Sequence, residues 1–319
     1  MVMTDQISFE DYDGIEKQLP QVVRIEPASV CNLKCIHCST GMLENNNRGV
    51  MSVETFQIAL REIEVLNPRV VVLYHGGEPF INKNIFGMIR QLKSRGVGFI
   101  KTVTNGMLLD ESMILKIIQS GLDSIEFSLD GNSPEENDEI RVGSNYQKVL
   151  ALIKQLITLK HDLASEIPEV FVANCQIPTQ SELEQGNPVI PNYIASDFSQ
   201  YDNSKIKFKT CFPIHWTGFP VDTSKYRLST PVGMEQTSNY CEHPVEQITI
   251  RHNGDVVACC YDITSTYVLG NIKEVSIKDI WNNERYRALR RSFRSKSYLP
   301  LCENCNVVKP QRFLIRKSC

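Results

Sequence analysis

Strand-length and helix-length segments alternate along the first half of this chain, and that alternation limits the possible folds more than any other feature. Residues 22–27 (VVRIEP) read as a short strand, and 53–66 carry apolar residues at helical spacing. VVVLY (70–74) is an apolar run of strand length, and 85–95 is helical again. GFIKTVT (98–104) is a strand closed by Asn105-Gly106, a turn signal. Residues 111–120 read as a helix stopping at Gly121, SIEFSLD (124–130) alternates as a strand, 146–159 is helical, and EVFVANC (169–175) is a strand. Repeated strand–helix units imply a parallel sheet that closes fully or partly into a barrel, with its chemistry at the C-terminal strand ends. The loops after the first three strands carry Cys31, Gly76-Gly77-Glu78 and Asn105-Gly106.

Beyond residue 177 the pattern changes. Pro178, Pro188 and Pro191 among Ser, Gln and Asn predict an irregular insertion before a last strand at 205–209. Periodicity is lost from 211, which puts the boundary to a second module between 211 and 241. There, 246–251 and 255–258 read as a hairpin turning at Asn253-Gly254, and 276–293 as one helix with a basic final turn.

Lys+Arg 34 against Asp+Glu 37 gives a formal charge of −3, which argues against a protein that coats nucleic acid. No apolar stretch approaches the ~20 residues of a membrane helix. The first 20 residues are polar and acidic, without the basic and apolar regions of a secretory signal, so a cytoplasmic protein is expected. In that setting the eleven cysteines (31, 35, 38, 175, 211, 241, 259, 260, 302, 305 and 319) favour metal binding or catalysis over disulfides. Their clustering toward both ends suggests two metal sites.

Cys31, Cys35 and Cys38 form CxxxCxxC on one tight loop. Three thiolates can hold three irons of a 4Fe–4S cluster and leave the fourth open to a non-protein ligand. The alternative is a zinc site completed by His37 or a distant cysteine. CxxxCxxC after a first strand, followed by Gly76-Gly77-Glu78-Pro79, resembles the radical S-adenosylmethionine (radical SAM) superfamily. In that family the open iron binds S-adenosylmethionine (SAM), and reductive cleavage yields a 5′-deoxyadenosyl radical that takes a hydrogen atom from substrate. The resemblance implies that Gly76, Gly77 and Glu78 meet the methionyl ammonium. It also implies that Asn105, Ser128, Asp130 and Arg141 surround the ribose and carboxylate, and that His37 packs near the adenine. A solvated surface arginine is the plain alternative for Arg141, and Tyr74 and His75 either line the site or pack.

Cys241, Cys259, Cys302 and Cys305 supply four more thiolates, enough to ligate a second 4Fe–4S cluster fully. Their spacing, with Gly254-x4-Cys259 and the segments 268–271, 276–282 and 285–290, resembles the SPASM/twitch extension of radical SAM enzymes. A full SPASM module carries about seven cysteines, so one auxiliary cluster is expected here. The resemblance implies a partial (β/α)6 TIM-like barrel over 22–210, after an extension at 1–21. A linker over 211–240 then leads to a small cysteine-rich SPASM/twitch-like module over 241–319. Within the linker, His215-Trp216-x-Gly218 resembles a stretch of many SPASM proteins.

Cys260, beside Cys259, reads either as a small buried apolar residue or as a thiol hydrogen donor of the kind radical SAM epimerases use. Cys175 and Cys211 compete for that role because both end barrel strands, and Cys319 is expected to be idle. The resemblance implies a small-molecule substrate and a reducing partner such as flavodoxin or ferredoxin. The expected reaction is epimerisation or dehydrogenation of a sugar, cyclitol or aminoglycoside-like compound. Peptide maturation is the alternative, lowered because only about 21 residues precede the first strand. A substrate-free electron carrier is a third reading.

Overall fold

The computed structural model describes residues 18–42, 48–215, 221–231, 241–303, 305–306 and 312–317. Trp216, Gly218 and Cys319 lie outside them. Six strands alternate with helices: β1 Val22–Ile25, β2 Val70–Val72, β3 Phe99–Thr104, β4 Ser124–Ser128, β5 Glu169–Cys175 and β6 Lys207–Cys211. All five neighbouring pairs are parallel. Helix α1 (Val53–Leu66) follows from its sequence: Phe56, Ala59, Leu60, Ile63 and Leu66 recur every three or four residues, and all are buried. Ser52 caps its start by accepting from the Thr55 amide at 3.0 Å, and Asn67 ends it in the left-handed region at φ 49°.

Helices α2 (Ile85–Ser94), α3 (Glu111–Gln119) and α5 (Tyr146–Asp162) repeat this logic. They bury the side of the sheet that carries Ile100, Ile125, Phe127, Val170 and Val172. Val103, Ser128, Ala173 and Cys175 alternate onto the opposite, concave side. The active face therefore comes from residues that the two-residue period had set apart from the core.

The C-terminal module does not stand apart. After the short helix α8 (His243–Glu246), strand β8 (Gln247–Ile250) pairs in parallel with β1 over four residues, and β9 (Asp255–Val257) and β10 (Val268–Asn271) continue antiparallel from it. The result is one nine-stranded sheet in the order β10-β9-β8-β1-β2-β3-β4-β5-β6. Gly254, at φ +94°, makes the turn of the expected hairpin. A separate pair joins β7 (Tyr226–Ser229) to β11 (Phe313–Arg316).

Several expectations are corrected. The helix expected over 276–293 is two: α9 (Ile277–Trp281) and α10 (Glu284–Arg294). Asn283 is extended (ψ 167°) and caps the second helix, accepting from the Tyr286 amide at 2.9 Å. The segment 178–205 contains α6 (Gln180–Gln185), with a Thr179–Glu182 capping box, and α7 (Asn192–Asp197). The last barrel strand is Lys207–Cys211, two residues later than expected, because the Lys205 and Ile206 amides turn back onto the Asp202 carbonyl. Helix α4 (Pro134–Ile140) escaped notice because its sequence is mostly acidic and polar, yet Ser133 caps it and Pro134 opens it.

Candidate cofactor and cluster sites

The first cysteine loop is held by its backbone. The Lys34 amide donates to the Val142 carbonyl at 3.0 Å and the Ile36 amide to the Ile140 carbonyl at 2.9 Å. The Thr40 hydroxyl donates to the Gly76 carbonyl. From the other side, the Glu78 amide donates to the Val30 carbonyl at 2.9 Å. A Cβ on Gly77 would stand 2.3 Å from the Val30 oxygen and 2.6 Å from the Ala28 oxygen. Only glycine lets these two loops meet.

Between them lies a cavity of about 170 Å³ bordered by Cys31, Cys35 and Cys38. Glu78, Asn105, Ser128 and Arg141 complete its wall, with His37, Tyr74, His75, Gly76 and Gly77. Asp130 stands behind the wall. Its Oδ2 accepts from Arg141 Nη1 at 2.7 Å and its Oδ1 from the Cys175 amide at 3.0 Å, while His37 Nε2 is 3.7 Å away. Arg141 is 8% exposed, so the surface reading fails. The Glu78 carboxylate turns inward, accepting from the Thr104 hydroxyl and the Asn105 amide, both at 2.8 Å.

The electrostatics follow from burial. Burial pushes the Cys35 thiol up to about 12, with Arg141 pulling the other way, and it also raises Cys31. Burial raises the Glu78 carboxyl despite its amide donors, and it lowers His37, so that imidazole is neutral near pH 7. Burial opposes the Arg141 charge, but Asp130 together with Cys35 and Cys38 more than offsets it and the guanidinium pKa is raised. His37 Nδ1, His75 Nε2 and Arg141 Nε are buried with no hydrogen-bond partner. A wall of thiols and unpartnered buried nitrogens fits a polar cofactor carried on an iron–sulfur cluster. Among the described residues no three His, Cys, Asp or Glu side chains are grouped to hold a single ion.

The second cysteine set also converges. Cys241, Cys259, Cys302 and Cys305 line one cavity with Leu289, Phe293 and Tyr261. Cys302 sits in α11 (Pro300–Glu303), and the Cys305 amide donates to its carbonyl at 3.1 Å. Burial pushes Cys302 up to about 12 and raises Cys241 and Cys259. Cys260 is not on that wall. Its Sγ is 3.6 Å from His243 Nε2, and Arg24 is near enough to act on both. Arg24 also lies 4.6 Å above the Tyr74 ring.

One functional feature was not foreseen. Glu26, fully buried, accepts through Oε1 from the Gly76 amide (3.2 Å) and faces His75 Nδ1 (3.0 Å). Its Oε2 meets Arg251 Nε (3.1 Å), the His252 amide (3.1 Å) and His252 Nδ1 (2.9 Å). This single carboxylate ties the glycine loop of the barrel to the hairpin of the second module. Its one signal was a carboxylate closing the apolar run VVRIEP.

A partial barrel with a three-cysteine loop at its C-terminal face, extended by a four-cysteine module, defines an iron–sulfur enzyme of the radical SAM class. Residues 25–167 match the Radical SAM superfamily, and residues 241–306 match the SPASM iron–sulfur cluster-binding domain. The chain belongs to the radical SAM superfamily and carries a SPASM domain. Its cofactors are SAM, the 4Fe–4S cluster that binds it, and auxiliary iron–sulfur chemistry in the SPASM domain.

It is 28% identical to the tungsten-containing aldehyde ferredoxin oxidoreductase cofactor-modifying protein of Pyrococcus furiosus, over 89% of this chain and 86% of the relative. It shares its fold with BtrN in complex with AdoMet and 2-DOIA (TM-score 0.59, 16% identity, 91% of this chain and 94% of that one). It also shares it with SuiB of Streptococcus suis bound to precursor peptide SuiA (TM-score 0.57, 16% identity, 86% and 67%). No helix among the described residues is long and apolar enough to cross a membrane.

Proposed function

We propose that this enzyme epimerises or dehydrogenates a small polyhydroxylated substrate of the sugar, cyclitol or aminoglycoside kind. The observation that supports this reading is that Arg24 stacks on Tyr74, which lines the three-cysteine cavity, and is near enough to act on Cys260 and on His243, which lines the four-cysteine cavity. Cys31, Cys35 and Cys38 would hold the cluster that binds SAM, and Cys241, Cys259, Cys302 and Cys305 the auxiliary cluster. When bound, the reduced cluster and SAM supply a 5′-deoxyadenosyl radical that removes a substrate hydrogen atom.

The chain's own residues orient and protect. Arg141, backed by Asp130, offers a fork to the SAM carboxylate, and Glu78 fixes the β2 loop against Asn105. His37, Gly76, Gly77, Asn105 and Ser128 shape the rest of the wall. A carbinol carbon that has lost its hydrogen atom becomes a ketone on losing a further proton and electron. It becomes the epimer on receiving a hydrogen atom at its other face. Cys260, outside the four-cysteine cavity, is free to donate that atom, and the four-cysteine site offers a place for the electron. Peptide modification is the competing reading, supported by the likeness to a peptide-bound fold. Electrons enter from a small carrier such as a flavodoxin or ferredoxin.

The test is anaerobic iron and sulfide content with spectroscopy of the reduced protein, with and without SAM. Two clusters, one perturbed by SAM, are expected. Cys31→Ala, Cys35→Ala and Cys38→Ala each lose that cluster and 5′-deoxyadenosine formation. Retained 5′-deoxyadenosine in these variants overturns the assignment. Cys260→Ala keeps both clusters; loss of iron from it would make Cys260 a ligand.

A further inference from the structure

Two cysteines outside both cluster sites meet at the ends of β5 and β6. Cys175 and Cys211 are direct register partners, and the Gln176 amide donates to the Cys211 carbonyl at 3.0 Å, locking that register. Paired strands lie about 4.8 Å apart, within the ~4.4–6.8 Å between α-carbons that a disulfide spans. As register partners on neighbouring parallel strands, the two side chains leave on the same side of the sheet. Cys211 is exposed, whereas Cys175 is partly covered. The Cys175 amide donates to Asp130, which holds Arg141 on the SAM cavity wall.

We propose that Cys175 and Cys211 form a redox-active thiol pair on the active face, cycling between the dithiol and a cross-strand disulfide by exchange with a low-molecular-weight disulfide. The two thiols have different parts. The neighbouring Cys211 thiol, with burial adding to the effect, raises Cys175 well above its ordinary value. The proximity of Cys175 lowers Cys211, against the opposing pull of burial, Asp130 and Glu126. Cys211 is therefore the attacking thiolate, both accessible and the first to ionise.

With glutathione disulfide as co-reactant, the Cys211 sulfur attacks one glutathione sulfur and expels the other as thiolate. Cys175 then loses its proton to solvent and attacks the Cys211 sulfur, expelling the second glutathione thiolate. One S–S bond breaks and one forms. Two electrons pass from the pair to glutathione, and two protons pass to solvent or to the released thiolates. A dithiol reverses the sequence.

The test uses the full chain, anaerobically reconstituted, treated with glutathione disulfide, alkylated with iodoacetamide and digested with trypsin. Lys205, Lys207 and Lys209 stand between the two cysteines, so a disulfide joins two otherwise separate peptides. A linked peptide that dithiothreitol releases is expected, and Cys211→Ser abolishes it. Without oxidant, Cys211 is alkylated about tenfold faster than Cys175 near pH 7, and Cys175→Ala slows Cys211 alkylation several-fold by removing the neighbouring thiol. A pair that merely packs would give full alkylation of both thiols after oxidant and an unchanged Cys211 rate in Cys175→Ala; either result overturns the proposal. Iron content on the same sample separates this from the proposed function. An iron-free protein that links its thiols counts against that reading alone, and an iron-replete protein that does not link counts against the thiol pair alone.

Discussion

Gly77 stands where no side chain fits, and Glu26 places one carboxylate against two histidines and an arginine. A methyl at residue 77 would meet the Val30 and Ala28 carbonyl oxygens, and both belong to the backbone that leads into Cys31. Gly77→Ala therefore displaces the cysteine loop from the cavity wall. At least a tenfold loss of SAM affinity is expected, about 1.4 kcal/mol, measured by titration of the reconstituted enzyme; unchanged affinity would contradict the close approach. At Glu26, burial alone would raise the carboxyl. The hydrogen bonds from His252 and His75 and the charge of Arg251 outweigh it and hold the pKa well below the usual carboxylate range. A depressed carboxyl contributes its full stability above the unfolded value near ~4.3, and that contribution is lost as pH falls through the lower folded value. Glu26→Gln should cost about 3 kcal/mol at neutral pH by removing the carboxylate charge that meets Arg251 Nε in the buried cluster. It should also flatten the fall of the urea midpoint between about pH 5 and 3. An equally steep fall in the variant would remove Glu26 as its source.

At the scale of elements, caps and breaks decide where side chains arrive. Asn283 ends the run through α9, opens α10, and donates from Nδ2 to the Leu269 carbonyl at 2.7 Å, so one residue joins a helix start to β10. Asn283→Ala should cost about 1–2 kcal/mol, read as a lower urea midpoint. A continuous helix in the variant would show that the break lies in packing instead. Helical periodicity continues across 276–293, which hid the break, whereas Asn282-Asn283 in mid-run was its local sign. Strand β6 lay two residues later than its apolar pattern implied, and the shift brings Cys211 opposite Cys175.

At the scale of the molecule, the two modules share one sheet across the β1–β8 pairing, and the Glu26 cluster is buried over that seam. Trp281 adds to the joint: it is fully buried, its indole donates to the Gln18 carbonyl at 2.9 Å, and Arg290 stacks 4.3 Å above it. A core continuous across that seam predicts that the two modules unfold together. Anaerobic urea denaturation should show fluorescence and iron-cluster absorbance falling in one coincident transition. Two separated transitions would make the modules independent.

The parallel barrel, the three-cysteine loop and the glycine loop were legible in the sequence because each rests on local spacing, whereas the second cysteine set, spread over 241–305, was legible through its resemblance to SPASM modules. Apolar periods of two and 3.6 residues specify strand and helix, and thiols three or four residues apart need only a tight turn to converge. Long-range choices left no such trace. Nothing in the local pattern says that β8 pairs with β1, that Glu26 meets Arg251 and His252 from 225 and 226 residues away, or that Arg141 is buried against Asp130. Those arrangements depend on which distant backbone completes a sheet edge and which counter-charge reaches a buried group, and only the tertiary structure decides them.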